Sequence, residues 1–214
     1  MSSMARSNAR YRVSYLDYLI KEEGFPRKRY KREINDFVAG HVVRLPAGSR
    51  VLDVGCGAGR ILSALRDDVR KCGVDTDIEA VIYTRARVGA GWYALADARQ
   101  LPFADETFDA VISSMVIEHE PDEKPLLAEM ARVLRPEGIA LVVTPNYGSF
   151  VWRLVERVWF WLVGYRKTGI PLSEFHCNRF SKERLEGALG RHFTVASLDE
   201  ITFGMTLAAV GVKQ

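Results

Sequence analysis

At 214 residues the chain is long enough for one large or two small domains with a sizeable core, and its formal charge of +3 is too small to imply nucleic acid by itself. Cys56, Cys72 and Cys177 form an odd set without metal-ligand spacing, which offers no metal site and favours a reduced, cytoplasmic setting over secretion. The polar start lacks the apolar centre of a signal peptide, and no uninterrupted apolar run of ~18 residues occurs, so neither a leader nor a transmembrane helix is expected.

Residues 1–12 read as a loose polar tail, followed by a short helix over Tyr11–Ile20. Pro26 suits a first helical turn, and Ile34, Phe37, Val38 and Val42 recur at helical spacing until Leu45-Pro46. Residues 1–45 are thus expected to be a helical segment that packs on or caps a main domain over 46–214. The basic run Arg27–Arg32 reads as a solvated helix start, with a patch for RNA or anionic lipid as the alternative.

From Arg50 the pattern alternates strand and helix, which implies a parallel sheet with crossovers. Val51–Val54 is a short branched run containing Asp53. It leads into Gly55, Cys56, Gly57, Ala58 and Gly59, a turn whose glycines permit positive φ and close approach of a ligand to the main chain. A second strand ends at Asp75, twenty positions beyond Gly55, where a carboxylate can accept both hydroxyls of a ribose lying across the turn. Asp77 is left to cap the helix Ile78–Arg87. A third strand, Trp92–Ala96, ends at Asp97, placed to accept from an exocyclic amine such as that of adenine. The fourth strand includes Ala110–Ile112. Leu126, Leu127, Met130 and Leu134 space a helix that stops at Arg135–Gly138, and Ile139–Thr144 is the fifth strand. Phe150–Tyr165 is rich in aromatics and reads as a helix with a very broad apolar arc, suited to core, interface, acceptor lid or membrane surface. Ser181 caps a last helix, and Phe193–Leu198 and Met205–Val212 close the sheet as an antiparallel pair.

Three stretches resemble the class I S-adenosylmethionine-dependent methyltransferases, of the small-molecule, methyltransferase type 11-like kind: D-V-G-C-G-A-G at Asp53–Gly59, A-D-A-R-Q-L-P-F-A-D-E-T-F-D-A-V-I-S at 96–113, and L-R-P-E-G-I-A-L-V-V-T-P-N at Leu134–Asn146. The resemblance implies an α/β fold: a Rossmann-like, seven-stranded, mostly parallel sheet with helices on both faces and the last strand antiparallel. It implies S-adenosyl-L-methionine as cofactor and S-adenosyl-L-homocysteine as product. Gly55, Cys56, Gly57 and Gly59 would hold the methionine portion, with Asp53 orienting the turn and the cofactor amine. Asp75 with Thr76 would take the ribose and Asp97 with Ala98 the adenine. The loop from Ser113 and Ser114 onward would pass the methionine end and face the acceptor, while Asp109 is expected to be structural. His119, in that loop, and His176, in the segment before the last helix, are the candidate general bases.

No Asp/Asn/Ser-Pro-Pro-aromatic motif follows the fourth strand, and no nucleophilic Cys sits there, which disfavours nucleic acid as acceptor. The expectation is in-line methyl transfer to a small, hydrophobic or lipid-like acceptor, with oxygen the favoured atom, residues 147–180 forming a helical lid insertion, and the protein acting as monomer or homodimer. An RNA methyltransferase using the 27–32 run and a non-catalytic cofactor-binding module are the alternatives.

Overall fold

Arg50–Val54 forms β1, whose branched residues are buried on both faces between two parallel neighbours. The computed structural model describes residues 27–159 and 177–214; the expected tail, the Tyr11–Ile20 helix, the distal part of the Phe150–Tyr165 helix and His176 lie outside them. α1 (Arg27–Val42) precedes β1; α2 (Arg60–Ala64), β2 (Arg70–Asp75), α3 (Ile78–Val88) and β3 (Trp92–Leu95) follow it. Then come β4 (Phe108–Ser114), a single 3-10 turn (Ile117–His119), α4 (Lys124–Val133), β5 (Leu134–Pro145) and α5 (Phe150–Trp159). α6 (Lys182–Leu189), β6 (Phe193–Ile201) and β7 (Thr206–Lys213) complete the described chain.

The seven strands order as β3-β2-β1-β4-β5-β7-β6. β7 runs antiparallel to both β5 and β6, and the other pairings are parallel, as the sequence implied. The order reverses between β1 and β4, so the crevice at their carboxyl ends is the place where such a sheet receives a ligand. Alternation along β1 sends Leu52 and Val54 into a core with Leu126, Leu127 and Met130 of α4 and Leu185 of α6. Val51 goes to the other face, with Val38 and Val42 of α1 and Ile61 and Leu62 of α2. Asp53 shares the parity of Val51.

β5 starts at Leu134, earlier than the Ile139 expected from sequence. Leu134 is already extended and pairs with Phe108 across a register shift, yet its side chain remains fully buried in the core of Met130 and Leu127. It therefore keeps the helical spacing without the helical backbone. Among the described residues no helix is long and apolar enough to cross a membrane.

Asp109 takes the structural place expected of it. Its Oδ2 accepts from Arg50 N at 2.7 Å and its Oδ1 from Arg135 Nη1 at 2.8 Å, tying the starts of β1, β4 and β5. Asp109→Ala is expected to lower the unfolding free energy by about 1–2 kcal/mol, read from denaturant midpoints, because a backbone donor and a guanidinium lose a charged acceptor. An unchanged midpoint would remove this tie from the account.

Candidate active site

β1 runs directly into a turn in which Gly55, Gly57 and Gly59 all hold positive φ, at 76°, 50° and 66°. At Gly55 a Cβ would collide with Val116 Cγ2, so only glycine lets the loop after β4 lie against this turn. The turn is braced from below. Gly55 N and Cys56 N both donate to Val74 O at 2.8 and 2.9 Å, Gly57 N donates to Asp75 Oδ2 at 2.8 Å, and Thr84 Oγ1 donates to Gly57 O at 2.7 Å. Gly59 N donates to Cys56 O at 2.8 Å, and α2 beyond it is only five residues long. What the turn offers is close approach to bare backbone, because the donors of Gly57 and Gly59 are already used.

Two carboxylates lie beside it, on adjacent strands. Asp53 is 2% exposed, and its Oδ1 has no hydrogen-bond partner. Burial, and then the negative charge of Asp75, push its carboxyl up to about 8. Asp75 is also buried, but its Oδ2 accepts from Gly57 N and its Oδ1 from Asp77 N at 3.0 Å. Burial raises it, and these two donors oppose the rise. The Cys56 thiol, buried near both acids, is pushed up and stays neutral. Thr76 is exposed, and Asp77 caps α3 by accepting from Glu79 N at 2.9 Å, as expected.

Asp97 sits just past β3, half-buried, with Ala98 buried beside it. Its Oδ1 accepts from Arg99 N and Nε, both at 2.9 Å, and its Oδ2 from Arg99 Nη2. Those bonds hold its carboxyl below the usual carboxylate range. Arg99 Nε also lies 3.8 Å from Glu120 Oε2, which connects this end of the site to the loop after β4.

Ser113, fully buried with its Oγ unpartnered, and the half-buried Ser114 do not lie in that loop as the sequence suggested: they pair with Val142 and Val143 as the last residues of β4, and the loop begins at Met115. Met115 follows at φ 58°, its N–H donating to Val143 O at 2.8 Å, and the half-buried His119 ends the 3-10 turn. Glu118 is 1% exposed, and burial raises its carboxyl while its Oε2 accepts from Thr144 Oγ1 at 3.1 Å. The chain returning at 177 is stapled onto this loop. Cys177 Sγ donates to His119 O at 3.1 Å, Asn178 N to Glu118 O at 3.0 Å, and Asn178 Nδ2 to Glu120 O at 3.2 Å and Glu123 Oε2 at 2.9 Å. The sequence reading did not single out Thr84, Glu118 or Asn178. Each is a polar side chain in an otherwise apolar or capping context, and that was the available signal.

Residues 52–142 match the methyltransferase domain family. A Mycolicibacterium smegmatis protein described as a "Probable S-adenosylmethionine-dependent methyltransferase" is 34% identical over 128 residues, 59% of this chain and 50% of that one. Residues 52–142 form a class I S-adenosylmethionine-dependent methyltransferase domain. Methyltransferase GfsG of Streptomyces halstedii is 39% identical over 102 residues, 43% of this chain and 36% of that protein, so the chain spans half or less of these relatives' length. A Haloferax volcanii methyltransferase solved with the Trm112 methyltransferase activator shares the fold at TM-score 0.70 and 24% identity, covering 93% of this chain and 97% of that one. The 4+2 cyclase SpnF shares it at TM-score 0.68 and 19% identity, covering 87% and 82%, which shows that the fold alone does not set the reaction.

The cofactor of this family is S-adenosyl-L-methionine, and the residues present fit it. An ammonium would satisfy the orphaned Asp53 Oδ1, and a glycine turn would admit an amino-acid moiety against backbone.

Because the folded protein keeps a proton on Asp53 that the unfolded chain releases near the ordinary 3.8, stability of the cofactor-free protein is expected to fall as pH rises from about 4 to about 8. The slope from this group is at most about 1.4 kcal/mol per pH unit. Asp53→Asn should flatten it in denaturant melts run across that range; parallel slopes for the two proteins would contradict the burial argument.

Proposed function

We propose that the methyltransferase moves a methyl group by in-line displacement to a small, hydrophobic acceptor, with oxygen the favoured acceptor atom. The observation that carries the reading is the partnerless, buried Oδ1 of Asp53 beside a glycine turn, a cation-shaped deficit at the switch point of the sheet. Asp53 would meet the cofactor amine, and Gly55, Cys56, Gly57 and Gly59 would line the methionine portion. Asp75 with Thr76 would hold the ribose, its oxygens already oriented by two backbone donors, and Asp97 with Ala98 the adenine. When bound, S-adenosylmethionine supplies a sulfonium methyl that needs no further activation, and S-adenosylhomocysteine is left as product.

The chain's own work is then to orient an acceptor and remove its proton. Ser113 and Ser114, at the end of β4, would border the methionine end on the side of the acceptor. His119 would take the acceptor proton, its loop held by Cys177 and Asn178; His176, outside the described residues, is the second candidate. The insertion 147–180 would border the acceptor. Its described ends meet where Tyr147 N donates to Phe180 O at 2.9 Å, beside the loop. Residues 1–45 would pack on or cap the domain over 46–214.

Asp75→Asn is expected to weaken cofactor binding by about 1–3 kcal/mol in calorimetric titration, since a charge-assisted pair of bonds is lost at nearly constant volume. Wild-type affinity would remove Asp75 from the site. His119→Ala is expected to cut turnover by about a hundredfold while sparing cofactor affinity; normal turnover on a verified acceptor would show that His119 is not the base. Binding of RNA with a steep salt dependence, abolished by reversing the charges of Arg27–Arg32, would favour an RNA acceptor instead.

A further inference from the structure

One rim of the carboxyl edge, on the acceptor side, carries side chains that the chemistry above does not use. In the turn from β6 to β7, Thr202, Phe203 and Gly204 take consecutive positive φ values of 55°, 59° and 75°. For a β-branched and an aromatic residue this conformation costs on the order of 1 kcal/mol or more each, and its result is a phenyl ring that is 68% exposed. Phe150, at the start of α5, is 71% exposed, and Leu154 one turn on is 51% exposed. These belong to one surface: Asn146 Nδ2 donates to Gly204 O at 3.0 Å, and a Cβ on Gly204 would lie 3.2 Å from Oε2 of the exposed Glu200 and 3.7 Å from Ser149 Oγ, next to Phe150.

The flank of this apolar rim carries more guanidinium groups than carboxylates, the acids being Glu33 and Glu200. Arg29 lies over the Phe203 ring at 5.0 Å and Arg179 over the Tyr147 ring at 4.8 Å, and Arg32, Arg153 and Arg157 are exposed. The nearest acid on α1, Glu33, is occupied, accepting from Thr202 N at 2.9 Å and from Arg29 Nε at 3.2 Å. Exposed rings with guanidinium groups stacked beside them suit a lipid interface, where the ring enters the headgroup layer and the cation stays among phosphates.

We propose that this rim is a peripheral docking surface for an anionic bilayer, through which the site receives an acceptor dissolved in the membrane. The inference deepens the reading given under Proposed function and rests on its acceptor side. A strained turn that presents an aromatic, with five arginines around it against the carboxylates of Glu33 and Glu200, favours a negatively charged surface over a second folded protein, whose interface would be depleted of charge at its centre.

The test is sedimentation of the full chain with vesicles of equal parts phosphatidylglycerol and phosphatidylcholine, against vesicles of phosphatidylcholine alone. Binding to the anionic vesicles should exceed binding to the neutral ones by about tenfold or more and collapse at about 1 M salt. The pair F150S and F203S should reduce it about tenfold or more. R32E with R153E should do the same without touching the rings. Binding that is absent, equal on both vesicles or unchanged in the variants overturns the proposal. So does a concentration-dependent dimer abolished by F203S, which would give the rim to a second copy. Calorimetry with S-adenosylhomocysteine on the same samples separates the failures: cofactor binding without vesicle binding sinks the docking surface alone, and loss of cofactor binding sinks the site on which it rests.

Discussion

The site is organised by the burial of a carboxyl group whose Oδ1 finds no hydrogen-bond partner among the described residues. Asp53 follows the strand parity of Val51, which turns it toward the face shared with Cys56 rather than into the core of Leu52 and Val54. Among the described residues the acid that shifts it is Asp75, and that interaction is repulsive. A buried acid with an orphaned oxygen persists in a fold when a ligand supplies the missing partner. The glycine turn above it serves the same end, since its positive φ values keep side chains out of the space where main chain and ligand meet.

The acceptor side depends on that turn. Val116 occupies the volume a side chain at position 55 would need, so the loop after β4 rests directly on the glycine turn. Met115 takes a left-handed conformation to make this possible, and Glu118 is buried behind the loop against Thr144. Asn178 then fixes the loop from outside through three hydrogen bonds. Movement at either end would therefore be felt at the other, because the two halves of the site share packed atoms.

Much of this was legible in the sequence because it rests on local patterns. The strand tips at Asp53, Asp75 and Asp97, the Asp77 and Ser181 caps and the closing antiparallel pair follow from short runs with their own stop signals. The start of β5 was misplaced because Leu134 satisfies a helical spacing while sitting in extended backbone. Arg99 as the partner of Asp97, Thr84 under Gly57 and Asn178 over the 118–123 loop are side-chain contacts made across sequence separations or rotamers that periodicity does not encode. The acceptor was not legible for a further reason: the fold is shared with proteins of other described activities, so chemistry must be read from the site alone.

The central claim is that cofactor binding relieves the buried, protonated Asp53 by pairing it with a cation. With its carboxyl pushed up to about 8, Asp53 is mostly protonated near pH 7 and must release that proton to form the pair. Calorimetric titration with S-adenosylhomocysteine at pH 7, repeated in buffers of different ionisation heat, counts the protons exchanged. The account predicts release of close to about one proton per cofactor bound, lost in Asp53→Asn; binding without release, or equal release in the variant, would contradict it.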